Sequence, residues 1–169
     1  RRHMPLNAVF QNGPNSGKDV FIPMDWVIGG QPMIGKGWRM LMESLAAGRG
    51  ISLPSSNTGM SKLAVRTTGG YARVRRQFKT AIGRFEGIEE PLARIGGSTY
   101  VMDAMRRLTM AALDMGEKPS VISAICKYHM TERMRGVLND AMDVHGGKGI
   151  CMGPNNYLGR AYQTVPIAI

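Results

Sequence analysis

The feature that most constrains the fold is the spacing of apolar residues, which recur every three or four positions from Gly37 onward. Prolines and glycines divide this part of the chain into long segments, and such residues start and end helices. The predicted helices are a short one over 38–45, long ones around 60–78, 86–115 and 119–145, and a short one over 157–163. Three long helices joined by short loops predict an up-and-down helical bundle.

Each long segment has an apolar face that is predicted to pack in the bundle. Glycines at 59, 69 and 70 would weaken the first helix, so we expect it to pack tightly against a neighbour. The predicted faces are Met60, Leu63, Thr67, Tyr71, Val74 and Phe78; then Leu92, Ile95, Met102, Met105, Leu108, Ala112 and Met115; then Ile122, Ile125, His129, Leu138 and Met142.

Residues 1–36 have a different character, with turn signals at Pro5, 12–17 and 29–30 around a short β-type run, 19–23. This pattern is typical of the tail of a β structure. The sequence therefore predicts two parts, the end of a β domain over 1–36 and a helical domain over 37–169.

The charge balance favours anionic partners. The chain has 22 lysines and arginines against 12 aspartates and glutamates, a formal net charge of +10. Nucleic acid, an acidic membrane surface and phosphate-bearing ligands all fit this charge. Cys126 and Cys151 lack metal-ligand spacing, so no metal site is predicted. The apolar runs are too short to span a bilayer and no secretory signal opens the chain, so we expect a soluble protein whose two ends are internal to a longer one.

Two clusters carry candidate chemistry. Arg73, Arg75, Arg76, Phe78 and Lys79 gather at the predicted end of the first long helix. They form either a solvated basic helix end or a dinucleotide clamp, with guanidinium on pyrophosphate and the ring against adenine.

The second cluster lies at the end of the third long helix. Asp143 and Gly147 there form either an ordinary helix-end turn or a place where a ribose hydroxyl meets a carboxylate. His129 and His145 lack a recognisable serine or cysteine partner and are interpreted as packed or surface residues.

Four segments, taken in order, resemble the acyl-CoA dehydrogenase family. They are 19–23 with 34–38, 75–78 with 85–88, 143–149, and 157–161. The second is similar to the family's arginine-x-x-phenylalanine motif, and the third to its glutamine-x-x-glycine-glycine-x-glycine turn, with Asp143 in place of the usual glutamine. The amino-acid sequence of several stretches is most similar to that of the long bacterial fatty-acyl-CoA dehydrogenases.

The resemblance implies a mainly α fold: the family's C-terminal helical bundle, preceded by the tail of a β-barrel-like middle domain. It also implies FAD, bound with help from a neighbouring subunit's helical domain. Arg75 would contact the pyrophosphate and Phe78 the adenine region, while Asp143, Gly146 and Gly147 would line the dinucleotide near its ribose. Arg49 would lie near the acyl-CoA pocket, although a helix-packing role is at least as well supported.

The implied reaction is dehydrogenation of a fatty acyl-CoA to the trans-2-enoyl-CoA, the first step of β-oxidation, in which a glutamate removes the α-proton. The resemblance places that glutamate after Ile169; the alternative family position is occupied by Gly48, so no catalytic base is named in this chain. Glu43, the nearest carboxylate, is interpreted as a surface or salt-bridged residue. Electron-transfer flavoprotein as acceptor, a homodimer or tetramer and a cytoplasmic location follow from the same resemblance, with any membrane association carried by segments outside these residues.

The sequence is also compatible with two other functions. A basic nucleic-acid-binding module would need a recognition helix or a dense basic stripe, whereas lysine and arginine here are spread over several elements. A non-catalytic homologue would keep the helical domain for oligomerisation alone.

Overall fold

The computed structural model describes residues 14–151 and 153–168, without the side chains of Ala47 and Ile167. Its helices are α1 (Gly37–Ala47), α2 (Leu53–Val74), α3 (Glu86–Asp114), α4 (Ser120–His145), α5 (Gly147–Ile150) and α6 (Leu158–Thr164), with a hairpin of β1 (Arg76–Gln77) and β2 (Thr80–Ala81). A π-helical turn, Gly48–Ser52, joins α1 to α2, and 3-10 turns cover Met24–Trp26, Gln31–Met33, Ile82–Arg84 and Val165–Ala168. The mainly helical fold predicted from the sequence is confirmed.

The core lies where α2, α3 and α4 pack against one another. Met102 of α3 and Met130 and Met134 of α4 are completely buried, and Ile95 and Leu138 are 1% exposed. Methionine suits such a position because its unbranched side chain fills irregular gaps. Several residues of the two predicted apolar faces are not buried. Those exposed on or just after α3 and on α4 are Leu108, Met115, Ile122, Ile125 and His129.

The predicted apolar face of α2 is wrong at Leu63, Val74 and Phe78, which are exposed, whereas Met60 and Tyr71 do pack against the buried clusters. The helix instead buries small and polar side chains, and it ends at Val74, so Phe78 lies outside it. Small side chains let two neighbouring helices approach α2 closely, which accounts for the rotation of the buried face away from Leu63 and Val74. The buried set is Pro54, Asn57, Thr58, Ser61, Ala64, Thr68 and Ala72. The glycines at 59, 69 and 70 do not mark close contacts, because a Cβ atom at each would meet nothing within 4 Å.

The π-helical turn is held by a close contact with α4. A Cβ atom on Gly50 would lie 2.7 Å from Ser123 Oγ, so only glycine fits this position without a shift. The turn carries Arg49, whose Nη2 lies 3.7 Å from Met42 Sδ. The backbone between α1 and α2 is therefore fixed by packing at Gly50.

Two ion pairs join the long helices near their surfaces. Lys62 Nζ of α2 lies 2.9 Å from Asp103 Oδ1 of α3, and the guanidinium of Arg94 on α3 binds both carboxylate oxygens of Asp140 on α4 at 2.8 and 3.0 Å. Lys62 and then Arg106 hold the pKa of Asp103 well below its usual range. These contacts connect α3 to α2 and to α4 at the surface of the bundle.

Residues 14–36 contain no β-strand, so the β-type run 19–23 does not pair within the described part of the chain. A strand forms only where its backbone groups find a partner, and none lies beside this run here. Phe21, Trp26 and Ile28 are at least 71% exposed.

Across residues 14–151 and 153–168, no helix combines the length and apolar character needed to cross a membrane.

Candidate functional site

The candidate site is an open groove at the end of the bundle where α2 stops and α4 stops. Its walls come from the end of α2, the hairpin, the start of α3 and the turn between α4 and α5, and it has a volume of about 530 Å³. It is lined by all five residues that the sequence singled out for the dinucleotide: Arg75, Phe78, Asp143, Gly146 and Gly147. We call this the first groove. Arg49 does not line it, because it lies on the joint between α1 and α2.

Arg75 is placed by its backbone while its side chain stays available. Its N–H donates to the Tyr71 carbonyl at 2.8 Å, closing α2, and its own carbonyl accepts from the Ile82 N–H at 2.9 Å. Among the described residues its exposed guanidinium has no carboxylate partner and no side-chain hydrogen bond. A guanidinium in this state can bind a phosphate group through two parallel hydrogen bonds.

Phe78 stands at the tip of the hairpin in a strained conformation. Arg76 pairs with Ala81 and Gln77 with Thr80, which leaves a two-residue turn. Both turn residues have positive φ, 49° at Phe78 and 66° at Lys79, as a type I′ turn requires. Bulky residues rarely adopt this conformation. The ring is 90% exposed, so the hairpin presents an aromatic face to solvent at the edge of the first groove.

The opposite wall is the turn that ends α4. Gly146 has φ 57° and ψ −142°, a combination close to the region that only glycine enters readily. Its N–H donates to the carbonyls of Met142 and Asp143, closing the helix. A Cβ atom on Gly147 would meet nothing within 4 Å. The chain's own packing therefore does not require glycine at 147, whereas the close approach of a ligand would.

His145 forms the floor of the first groove, and sequence reasoning missed its role. The ring stacks on Tyr71 with centroids 4.3 Å apart. Its Nδ1 donates to the Ala141 carbonyl at 2.8 Å, which leaves Nε2 to accept from the Tyr157 hydroxyl at 3.2 Å. Burial lowers the pKa of this imidazole, and the neighbouring Lys148 acts in the same direction. The spacing of aromatic residues along the chain gives no sign of this stack, because Tyr71 and His145 lie on different helices.

The electrostatics of the first groove favour an anion. Arg75 and Lys148 line it against a single carboxylate, Asp143. The Lys148 ammonium lies 5.7 Å from the centre of the Tyr71 ring, which holds this charge beside the floor. No group of three or more metal-ligand side chains occurs among residues 14–151 and 153–168. The donor set suits a phosphate-bearing group with an aromatic or sugar part.

These residues fit a flavin dinucleotide. A free guanidinium suits the pyrophosphate, an exposed ring suits the adenine, and the glycine turn leaves open space at Gly147 for close approach. The one carboxylate, Asp143, is exposed and suits a hydroxyl group. Glu43 is not part of this arrangement, since it forms an exposed ion pair with Arg39 at 2.8 Å.

The model of the acyl-CoA dehydrogenase C-terminal domain matches residues 35–168. Protein HemX of Proteus mirabilis is 60% identical over 68 residues, 40% of this chain and 40% of that protein. The 3-(aryl)acrylate reductase of Clostridium sporogenes is 29% identical over 116 residues, 69% of this chain and 30% of the reductase. Probable acyl-CoA dehydrogenase FadE10 of Mycobacterium tuberculosis is 28% identical over 149 residues, 88% of this chain and 22% of FadE10. The chain thus spans less than half the length of these relatives.

Solved structures share the fold. An acyl-CoA dehydrogenase from Geobacillus kaustophilus has a TM-score of 0.74 at 22% identity, covering 79% of this chain and 34% of that one. Glutaryl-coenzyme A dehydrogenase in complex with glutaryl-CoA has a TM-score of 0.73 at 26% identity, covering 82% and 34%. The FAD complex of PigA has a TM-score of 0.69 at 19% identity, covering 76% and 33%.

Proposed function

Since this chain belongs to the acyl-CoA dehydrogenase family, whose C-terminal domain it contains, we propose that it is the helical part of a flavoenzyme that dehydrogenates a fatty acyl-CoA to the trans-2-enoyl-CoA. The observation that carries this proposal is the meeting of Arg75, Phe78, Asp143, Gly146 and Gly147 in one groove from two stretches of sequence, 75–78 and 143–147. Relatives in the family include a structure with bound glutaryl-CoA. The fatty-acyl chain is the finer part of the proposal and rests on the sequence resemblance.

In this proposal the first groove holds the dinucleotide end of FAD. The Arg75 guanidinium binds the pyrophosphate, the Phe78 ring lies against the adenine, and Asp143 accepts a hydrogen bond from a ribose hydroxyl. Gly146 and Gly147 let the backbone approach the ligand. Bound flavin supplies the hydride acceptor for the β-carbon of the substrate. Arg49 is proposed to contact the acyl-CoA from the joint between α1 and α2, and the glutamate base to lie after Ile169.

The exposure of the clamp supports an oligomer. Phe78 is 90% exposed and Arg75 has no partner among the described residues, so both are free to receive a cofactor carried by another copy of the protein. We therefore propose a homodimer or tetramer in which the first groove meets a flavin held by the neighbouring subunit. Electron-transfer flavoprotein is the proposed electron acceptor, and the cytoplasm the proposed location.

The exposed apolar side chains of residues 14–36 support the proposed domain boundary. Phe21, Trp26 and Ile28 contribute a concentration of exposed apolar surface that a monomeric domain rarely leaves uncovered. A middle β domain packed on this stretch would cover them and supply strand partners for 19–23. We propose that 1–36 belongs to that domain and 37–169 to the helical domain.

The experiment uses the full-length protein that carries this chain. Its visible spectrum reports flavin, and anaerobic addition of a long-chain acyl-CoA tests whether the oxidised-flavin band bleaches. Bleaching with formation of the enoyl-CoA supports the proposal. If an enoyl-CoA oxidises the reduced flavin but the acyl-CoA does not bleach the oxidised flavin, the protein is a reductase, as the name of the Clostridium relative says of that protein. A protein without flavin would refute the proposed function.

Two charge-matched variants test the clamp itself. Arg75→Gln should weaken FAD binding roughly tenfold or more, because a charge-assisted hydrogen bond to phosphate is lost. Arg133→Gln removes the same charge from an exposed position on α4 and should leave FAD affinity within about twofold, as expected for screened surface charge. Equal losses in both variants would mean that only net charge matters, which would contradict a clamp at Arg75.

A further inference from the structure

The basic residues around the hairpin are divided between its two sides. Arg76 and Gln77 are neighbours in β1, and side chains alternate along a strand, so these two point to opposite faces. Arg75 and Gln77 line the first groove, whereas Arg73 and Arg76 line another groove behind the hairpin. The single basic cluster in the sequence is thus two sites in the structure.

This second groove is lined by four cations, Arg73, Arg76, Lys79 and Arg84, and has a volume of about 410 Å³. All four side chains are exposed, so their charges face solvent at the groove. No carboxylate lines it. One water occupies about 30 Å³ of liquid, so the groove has room for many water-sized groups. It can therefore hold more than a single phosphate group.

The charges of the second groove are not neutralised within the described residues. None of the four cations forms an ion pair there, whereas Arg39, Arg94 and Arg106 do so elsewhere. The nearby Glu86 stands with Glu89 in the first turn of α3, where acidic groups offset the positive end of the helix dipole. Like charges held around one groove repel each other, and a bound anion would relieve this repulsion.

The backbone around the second groove is tightly held. Gly83 lies so close to α2 that a Cβ atom on it would be 3.2 Å from the Ala72 carbonyl oxygen. Arg76 Nη1 donates to the Lys79 carbonyl at 3.2 Å, across the hairpin turn. The four charges therefore project from a braced frame, which lowers the entropy lost when an anion binds.

We propose that the second groove binds a small ligand bearing a pyrophosphate or comparable cluster of phosphate groups. Arginine is suited to this role, because its planar guanidinium donates two parallel hydrogen bonds to phosphate oxygens. No aromatic side chain lines the second groove, in contrast to Phe78 in the first. The second groove recognises the phosphate charges of its ligand and does not stack on a base. This inference concerns a surface separate from the proposed flavin clamp and stands without it.

The test is calorimetric titration of inorganic pyrophosphate into the intact protein, saturated with FAD so that the first groove is occupied. Arg73→Gln and Arg84→Gln should each weaken pyrophosphate binding roughly fivefold to tenfold and lower its dependence on salt. Arg133→Gln is the charge-matched control and should change the affinity by less than about twofold. Neither Arg73 nor Arg84 makes a side-chain hydrogen bond in the described structure, so both variants should fold.

Two further ligands identify the source of the phosphates. Coenzyme A binding more tightly than pyrophosphate, with a loss of affinity when its 3′-phosphate is removed, would assign the groove to the phosphorylated end of coenzyme A. Equal binding of coenzyme A and pyrophosphate would assign it to a simple phosphate cluster. Absence of pyrophosphate and coenzyme A binding, or a loss caused by Arg75→Gln and not by Arg73→Gln, would overturn the proposal. A protein that takes no flavin but binds pyrophosphate through Arg73 and Arg84 would refute the proposed function and retain this site.

Discussion

The interior of the three-helix bundle and the rim of the first groove obey opposite rules. In the interior, Met130 and Met134 are completely buried against neighbouring helices. At the rim, Phe78 is 90% exposed at a positive φ, and Arg75 has no partner among the described residues. Burial explains the interior through the free energy of removing apolar surface from water. Burial does not explain the rim, where the proposed flavin would account for the exposed ring and guanidinium.

The largest expected effect separates these two regions by stability. Met130→Ala should lower the free energy of unfolding by about 2–5 kcal/mol, because it removes a fully buried side chain and leaves a cavity. Arg75→Gln should change it by less than about 0.5 kcal/mol, as usual for an exposed position. Urea denaturation of the intact protein measures both. Similar losses for the two variants would mean that the rim is part of the stabilising core.

The next effect concerns His145, which belongs to both regions because it is buried and also forms the groove floor. Burial lowers its folded-state pKa below the ordinary value of about 6.5, so the folded state binds fewer protons than the unfolded state. Its contribution to stability is therefore complete above about pH 6.5 and is lost as the pH falls from there through the folded-state pKa. The slope should be at most about 1.4 kcal/mol per pH unit.

Paired variants assign this slope to a residue. His145→Phe keeps a ring against Tyr71 but cannot titrate, so its stability should be flat between pH 7 and pH 5 apart from the general trend. His129→Gln, at an exposed position on the same helix, should keep the slope of the unmodified protein. A slope that survives in His145→Phe would show that another group is responsible.

A smaller effect tests whether the rim gives up stability for display. Phe78→Asn should stabilise the hairpin by about 1 kcal/mol, because asparagine accepts the positive φ that phenylalanine tolerates poorly. The same change should weaken FAD binding roughly tenfold, since stacking on the ring is lost. Lys79→Gly relieves strain at the neighbouring turn residue and should leave FAD affinity within about twofold. Thermal unfolding measures the stability of each variant, and flavin titration measures its affinity for FAD. A Phe78→Asn variant that is unchanged in both quantities would contradict this prediction.

The sequence predicts the two regions unequally well. Pro119, Gly116 and Gly146 predict the ends of α3 and α4 to within a residue or two, because helix boundaries are local signals. The buried face of α2 is not local. It depends on which neighbouring helices approach α2. Ser61 and Ala64, with their small side chains, are buried, whereas the larger Leu63 is exposed.

At the rim, the residue types were predicted but their geometry was not. Arg75 and Phe78 were expected at the end of a helix, whereas the chain turns at Arg75 into a hairpin whose tip lacks the glycine or asparagine that normally announces a type I′ turn. The stack of His145 on Tyr71 joins residues far apart in sequence, so no spacing rule could find it. The division of the basic cluster into two grooves likewise depends on how α2, the hairpin and the turn Ile82–Arg84 are arranged in space.

The smallest expected effect tests whether the interior itself is fully optimised. The Thr68 hydroxyl is completely buried on α2 and has no hydrogen-bond partner among the described residues. Thr68→Val keeps the shape and removes that polar group, so it should raise the free energy of unfolding by a few tenths to about 1 kcal/mol. Thr58 is an internal control on the same helix, because its equally buried hydroxyl donates to the Pro54 carbonyl at 2.7 Å. Thr58→Val should therefore destabilise by about 1 kcal/mol. If both variants lose stability, the Thr68 hydroxyl makes a hydrogen bond in solution. The interior of the bundle would then depend on buried polar contacts as well as on apolar packing.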